Sequence, residues 1–306
     1  MSSIKPAVFQ TTLKDTISCT GVGLHSGKDV TMTLAPAPAN TGIQFRRTDV
    51  DAHDIVPARF DHVVATQLGT TIANEAGVRV LTVEHLMAAL AGCHVDNAIV
   101  ELDGEEVPIM DGSSAPFVAL IDHVGTKELS APRKVLRIKR PVHVGDQSRY
   151  AALSPADAFE VDLEIDFASP VIGRQHHEVR LINGAFKREL AHARTFGFMK
   201  DVETLLSLGL SQGGSLDNCI VIDGDAVLNE DGLRCGDEFV RHKLLDVVGD
   251  LATAGFAIEG RFEGAKTGHA LNNALLQAVF ADPANYEIAD ARLPLPTYFE
   301  AASAAQ

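Results

Sequence analysis

Apolar and polar residues alternate along FEVDLEIDF, residues 159–167, the period of two expected for a strand with one buried face. TISCTGVGLHSGKDVTMTLAPA mixes β-branched residues with Gly and Ser in the manner of a hairpin, and FAIEGRF is again strand-like. Helical spacing takes over elsewhere. LTVEHLMAALAGCHVDNAIVEL predicts a helix, a break at Gly92 and a strand over residues 98–102. SAPFVALIDHVG predicts a second helix opening near Ser114 and Pro116. In the second half, residues 238–251 predict a helix and HALNNALLQAVF another, with FAIEGRF between them.

The two halves share this order of helix, strand, loop and helix. HLMAALAG and HKLLDVVG each run from a histidine to a glycine seven residues later, and each precedes a strand. The repetition predicts an α+β chain of two similarly built domains, residues 1–130 and 131–306, each a sheet covered by helices. The charged segment GTKELSAPRKVLRIKRP would join them, with Ala131-Pro132 as the linker. The second half alone carries GFMKDVETLLSLGLSQGGSLDNCIVID, an insert around 197–223 that predicts a short amphipathic helix, a Gly-rich turn and a strand. Its apolar content suits the wall of a pocket for an apolar ligand, or an ordinary packed excursion.

Composition narrows the function. A net charge of −15 argues against nucleic acid as a partner, because phosphate backbones are bound by basic surfaces. The N-terminal MSSIKPAVFQTTLKD has no apolar signal region, and no stretch approaches the roughly 18 apolar residues that span a bilayer. Cys19, Cys93, Cys219 and Cys235 form no CxxC pair and read as free thiols of a reducing compartment. The expectation is a cytoplasmic protein without stable membrane insertion.

Candidate chemistry gathers on FVRHKLLDVVGD. His242, Asp246 and Asp250 recur every four residues, so they share one helix face. Alone they would suit a solvated ion pair, or two ligands of a metal that lacks a partner. TVEHLMAAL supplies that partner in the matching element of the other half, with His85 beside Glu84. Two imidazoles, one carboxylate and an open position form a catalytic zinc site, and an adjacent carboxylate suffices as the base. In KTGHALNN, His269 opens a helix whose dipole disfavours a charged imidazole; to donate a proton it needs a carboxylate, for which Asp250 is the candidate. In ARTFGF, Thr195 has a hydroxyl suited to an oxyanion, and Lys243 a point charge suited to phosphate. The Asp111-Gly112 turn in VPIMDGSSAPF reads as architecture, and TGVGLHSG matches no nucleotide-binding pattern.

TGVGLHSG, TVEHLMAALAG, VPIMDGSSAPF, ARTFGFM, LNEDGLR, FVRHKLLDVVGDL and KTGHALNNALLQAV, in that order, resemble the UDP-3-O-acyl-N-acetylglucosamine deacetylase family of lipid A biosynthesis. The resemblance runs from about Gln10 into the C-terminal segment. It implies two layered α/β sandwich domains with the active site in the cleft between them, and hydrolysis of the N-acetyl group of an acylated UDP-N-acetylglucosamine. It implies His85, His242 and Asp246 as metal ligands and Glu84 as general base. His269, oriented by Asp250, would be the general acid or oxyanion stabiliser. Thr195 would polarise the acetamide carbonyl, Lys243 hold the diphosphate, Phe196 contact the sugar, and the insert form a passage for the acyl chain. The metal would be Zn2+, with Fe2+ compatible with the same donors. Gly69 stands where some relatives carry a cysteine near the metal, so no additional thiol contact to the metal is expected there. Two other readings fit the residues alone: an Fe(II) oxygenase, which shares the two-His, one-carboxylate triad, and a lipid-binding protein without turnover.

Overall fold

The computed structural model describes residues 8–292. Ile17–Val22 and Asp29–Pro36 form the expected antiparallel hairpin, with Ile17 opposite Leu34 and Val22 opposite Asp29. Strict alternation along Asp29–Pro36 buries Val30, Met32 and Leu34 on one face. Ala98–Leu102 lies beside this strand in antiparallel register and is parallel to Ile43–Arg47, which Ile55–Pro57 follows at the edge. Helices α1 (Glu84–Gly92) and α2 (Ala115–Val124) contribute Leu86, Met87, Leu90, Phe117 and Ile121 to the core that includes the inward residues of this sheet.

The second half repeats the plan around a longer central strand, Ala257–Ala265, whose inward Ile258 and Phe262 are buried. That strand runs parallel to Lys134–Ile138 through its first residues and parallel to Phe159–Asp166 through its last, with Tyr150–Ser154 antiparallel beside it. Val142–Gly145, Arg174–Arg180 and Tyr286–Asp290 complete a seven-stranded sheet. Helix α3 (Met199–Ser207) lies in the insert, and α4 (Glu238–Ala252) and α5 (His269–Ala281) belong to the second sheet's layer. The chain is therefore mixed α+β, with the same helix, strand, helix order in both halves, as the sequence pattern predicts.

One expectation is corrected. Ala131-Pro132 is not a free linker: it ends the strand Thr126–Pro132, which pairs antiparallel with Phe9–Leu13, Phe9 lying opposite Pro132. A terminal position lets proline sit in a strand without removing a needed donor. The connection between the halves is thus a hydrogen-bonded ribbon.

What positions the site is the contact between α1 and α4. A Cβ built on Gly249 would stand 2.0 Å from the carbonyl oxygen of Glu84, so only glycine lets the start of α1 reach α4 here. The glycine noted in the HKLLDVVG repeat is thereby explained by close approach of two backbones. The insert docks on the other half as well: the N–H groups of Gln212 and Gly213 donate to the carbonyls of His25 (3.3 Å) and Leu24 (3.0 Å) in the TGVGLHSG loop. Gly112, at φ 81°, leaves room for the carbonyl of Asn218, which a Cβ would meet at 2.1 Å.

Candidate active site

Glu84 and His85 are the first two residues of α1, reached through Thr82 at φ 57°, whose hydroxyl donates to Glu106 Oε1 at 3.0 Å. His242, Asp246 and Asp250 lie on the buried stripe of α4. All five are nearly inaccessible, at 2–4 % exposure, which removes the solvated-stripe reading of FVRHKLLDVVGD.

His85 Nε2 lies 3.6 Å and His242 Nε2 3.3 Å from the same oxygen, Asp246 Oδ1. The donor atoms of the three residues fall within 4.8 Å of one another, and the two rings meet edge to face at 4.9 Å. Asp246 Oδ1 is buried and has no hydrogen-bond partner among the described residues. A buried carboxylate oxygen left in that state is costly unless a cation takes it, so this donor set fits a divalent metal. His242 Nδ1 donates to the carbonyl of Ala193 at 3.1 Å, which leaves the Nε2 lone pair directed at the shared point. Burial drives the His242 imidazole down to about 3, keeping it neutral, the form that ligates. His85 Nδ1 is buried without a partner among the described residues, while the residue's own carbonyl accepts from Ser114 Oγ at 2.7 Å.

Asp246 Oδ2 accepts from Lys243 Nζ at 2.6 Å. Burial disfavours the Asp246 carboxylate, but His242 and Lys243 beside it hold its pKa well below the ordinary range. Lys243 thus braces the Asp246 carboxylate and keeps two further N–H donors. Burial raises the pKa of Glu84, against the opposing pull of His269 and His85. Its Oε2 accepts from the backbone N–H of Thr70 at 2.9 Å, and its Oε1 lies 4.0 Å from His269 Nε2.

His269 opens α5, and Gly268 offers no side-chain cap. Its Nδ1 donates to Asp250 Oδ2 at 2.9 Å, so the carboxylate partner expected for this histidine is the one found. Burial works against charge on His269, yet Asp250, together with Glu84 and Asp246, raises its pKa to about 9. Raised binding of a proton in the folded state stabilises the protein below the unfolded pKa near 6.5, and that stabilisation is lost as pH rises towards 9. In the metal-free protein, His269→Gln should therefore cost on the order of 3 kcal/mol more near pH 6 than above pH 9. Urea unfolding across that range measures it, and a pH-independent difference would remove the charged His269–Asp250 pair.

Thr195 and Phe196 enter through their neighbours. Ala193, two residues earlier, holds His242, and the Phe196 ring lies edge-on to His242 at 6.2 Å and to Phe239 at 5.0 Å. No hydrogen bond joins the Thr195 side chain to His85, His242 or Asp246 among the described residues; its backbone is held between Gly112 and Ile220. His25 has both ring nitrogens in use: Nδ1 accepts from Ser211 N–H at 3.4 Å and Nε2 donates to the carbonyl of Leu68 at 3.2 Å. Thr70 and Asn272 have no place in the sequence reading, and Ser114 enters it only as a helix start. Asn272 alone carried a signal, lying three residues after His269 and so on its helix face.

Two buried imidazoles and a carboxylate converging on one point, a buried carboxyl group beside them and a histidine facing that group make the arrangement of a metal-dependent hydrolase. The chain belongs to the UDP-3-O-acyl N-acetylglycosamine deacetylase family, whose model matches residues 10–281. Two proteins named UDP-3-O-acyl-N-acetylglucosamine deacetylase are similar to it. That of Idiomarina loihiensis is 53% identical over 282 residues and that of Shewanella oneidensis 50% over 283, each match covering 92% of both chains.

Proposed function

We propose that the protein hydrolyses the N-acetyl group of UDP-3-O-(3-hydroxyacyl)-N-acetylglucosamine and releases acetate, the committed step of lipid A biosynthesis. The observation that carries this reading is Asp246 Oδ1, without a hydrogen-bond partner among the described residues and shared by two imidazole Nε2 atoms, with Glu84 and His269 facing each other at 4.0 Å beside it. The metal is zinc, held by His85, His242 and Asp246; when bound it supplies Lewis acidity to the acetamide oxygen and to water. Fe2+ fits the same donors.

Glu84 takes the proton from the attacking water, and its burial-raised pKa brings it nearer the working pH of a base. His269 gives its Nε2 proton to the departing nitrogen as the C–N bond breaks, while Asp250 keeps the ring oriented and charged. Thr195 donates to the acetamide oxygen. Lys243 offers its remaining donors to the diphosphate, and Phe196 meets the sugar. The insert receives the acyl chain, a role supported by its exposed Leu206, Leu208 and Leu216. We place the domain limits at 1–130 and 131–306, and the enzyme in the cytoplasm. Among the described residues, no helix is long and apolar enough to cross a membrane.

Acetate release from this substrate, measured before chelation, after chelation and after zinc is restored, tests the proposal. Loss and recovery are expected; binding without release at any stage would move the protein to the non-enzymatic reading.

A further inference from the structure

Thr70 lies in none of the chemistry-bearing motifs, yet it is only 2 % exposed and its two donors go to two separate parts of the site. Its backbone N–H donates to Glu84 Oε2 at 2.9 Å, and its hydroxyl donates to Asp250 Oδ1 at 2.6 Å. Glu84 opens α1 and Asp250 lies in α4, so one residue ties together carboxylates from opposite halves of the chain.

Each bond selects which oxygen of a carboxylate does what. With Asp250 Oδ1 held by Thr70, Oδ2 is the oxygen that accepts from His269 Nδ1 (2.9 Å) and Asn272 Nδ2 (2.8 Å). Asn272 is itself fixed, its Oδ1 accepting from Thr267 Oγ1 at 2.8 Å. Rotation of the buried Asp250 carboxylate would break several bonds at once. On the other side, the N–H of Thr70 engages Oε2 of Glu84, which leaves Oε1 facing His269 Nε2. Residue 69 leaves space for that arrangement, because a Cβ on Gly69 would stand 3.0 Å from Glu84 Oε1.

We infer that Thr70 is a positioning residue that sets the geometry of the base and, through Asp250, of the acid, so that one short segment registers both proton-transfer groups. The inference rests on the reading above, in which Glu84 is the base and His269 the acid. A side chain that merely satisfied a buried carboxylate oxygen would stabilise the fold without setting a rate.

Thr70→Val removes the hydroxyl while keeping shape and backbone N–H; Thr70→Ser keeps the hydroxyl and loses a methyl. Thr70→Val should lower kcat by about 10- to 100-fold, the usual effect of losing an outer partner, with KM and metal content unchanged. Thr70→Ser should recover most of the rate. In an Asp250→Asn background the Val substitution should cost much less than in the wild type, whereas equal, additive losses would mean that Thr70 does not act through Asp250. A readout independent of turnover comes from histidine-selective 15N labelling of the protein as purified. The hydrogen-bonded Nδ1–H resonance of His269 should move in Thr70→Val and stay in place in Thr70→Ser. An unmoved resonance, or an unchanged kcat, in Thr70→Val overturns the inference. If the wild type releases no acetate while the resonance follows the hydroxyl, the positioning role stands and the assigned reaction falls.

Discussion

Replacing Glu84 by Gln should lower acetate release by about 10²- to 10⁴-fold while leaving the metal in place. Gln has nearly the shape of Glu, and its side-chain carbonyl can still accept the Thr70 N–H that now holds Glu84 Oε2 at 2.9 Å. What it lacks is the capacity to take up a proton. His85, His242 and Asp246 keep their places, because the base touches none of them through a hydrogen bond. Substrate binding should change little, so the loss should fall on kcat, the pattern of an interaction made in the transition state. Metal content by emission spectroscopy and steady-state kinetics on the same preparation decide the matter. Turnover at the wild-type rate would transfer the base to another group.

Asp246→Asn should act at an earlier step, on the metal itself. The native oxygen Oδ1 stands 3.6 Å and 3.3 Å from the Nε2 atoms of His85 and His242 and carries the set's only negative charge. An amide offers a neutral oxygen or an N–H₂ that repels a cation. We expect metal affinity to fall by more than the roughly 10- to 100-fold typical of losing an outer partner, and acetate release to fall with it. Added zinc should restore part of the rate, since two imidazoles remain. The variant also leaves Lys243 without the carboxylate it bonds at 2.6 Å, so the metal-free protein should unfold at lower denaturant concentration than the metal-free wild type. Equilibrium dialysis against zinc followed by urea unfolding separates the two losses. Stoichiometric zinc at wild-type affinity would remove Asp246 from the ligand set.

Much of the site could be read from the chain because helices convert spacing into direction. His242, Asp246 and Asp250 share a face of α4 by arithmetic alone, and Glu84 with His85 mark the start of a helix bounded by apolar residues. His269 beside a glycine announced a helix N-terminus, and with it the need for a carboxylate. The strands were legible for the same reason, since Asp29–Pro36, Phe159–Asp166 and Ala257–Ala265 alternate along a half-buried surface. The connection at Ala131-Pro132 was not legible. A charged, proline-bearing segment looks like a linker until its partner strand, Phe9–Leu13, is known, and that partner lies at the far end of the half.

Thr70 shows the same boundary at the site. Its neighbours in TTIAN give no sign that one hydroxyl reaches Asp250, because a hydrogen bond between residues so distant in sequence follows from no local periodicity. Lys243 is the opposite case: its bond to Asp246 is an i,i+3 pair within α4, so helical spacing carried a signal that its reading as a point charge for phosphate passed over. By itself the sequence determined which side chains share a face, where helices begin, which residues are chemically able to ligate a metal or move a proton, and which family's motifs they match. The tertiary structure decided that α1 meets α4 at Gly249, that two histidines converge on one carboxylate oxygen, and that Asp250 rather than another acid holds His269. The reason is that periodicity is a property of one segment's backbone, while convergence depends on how separate segments bury their apolar faces against each other.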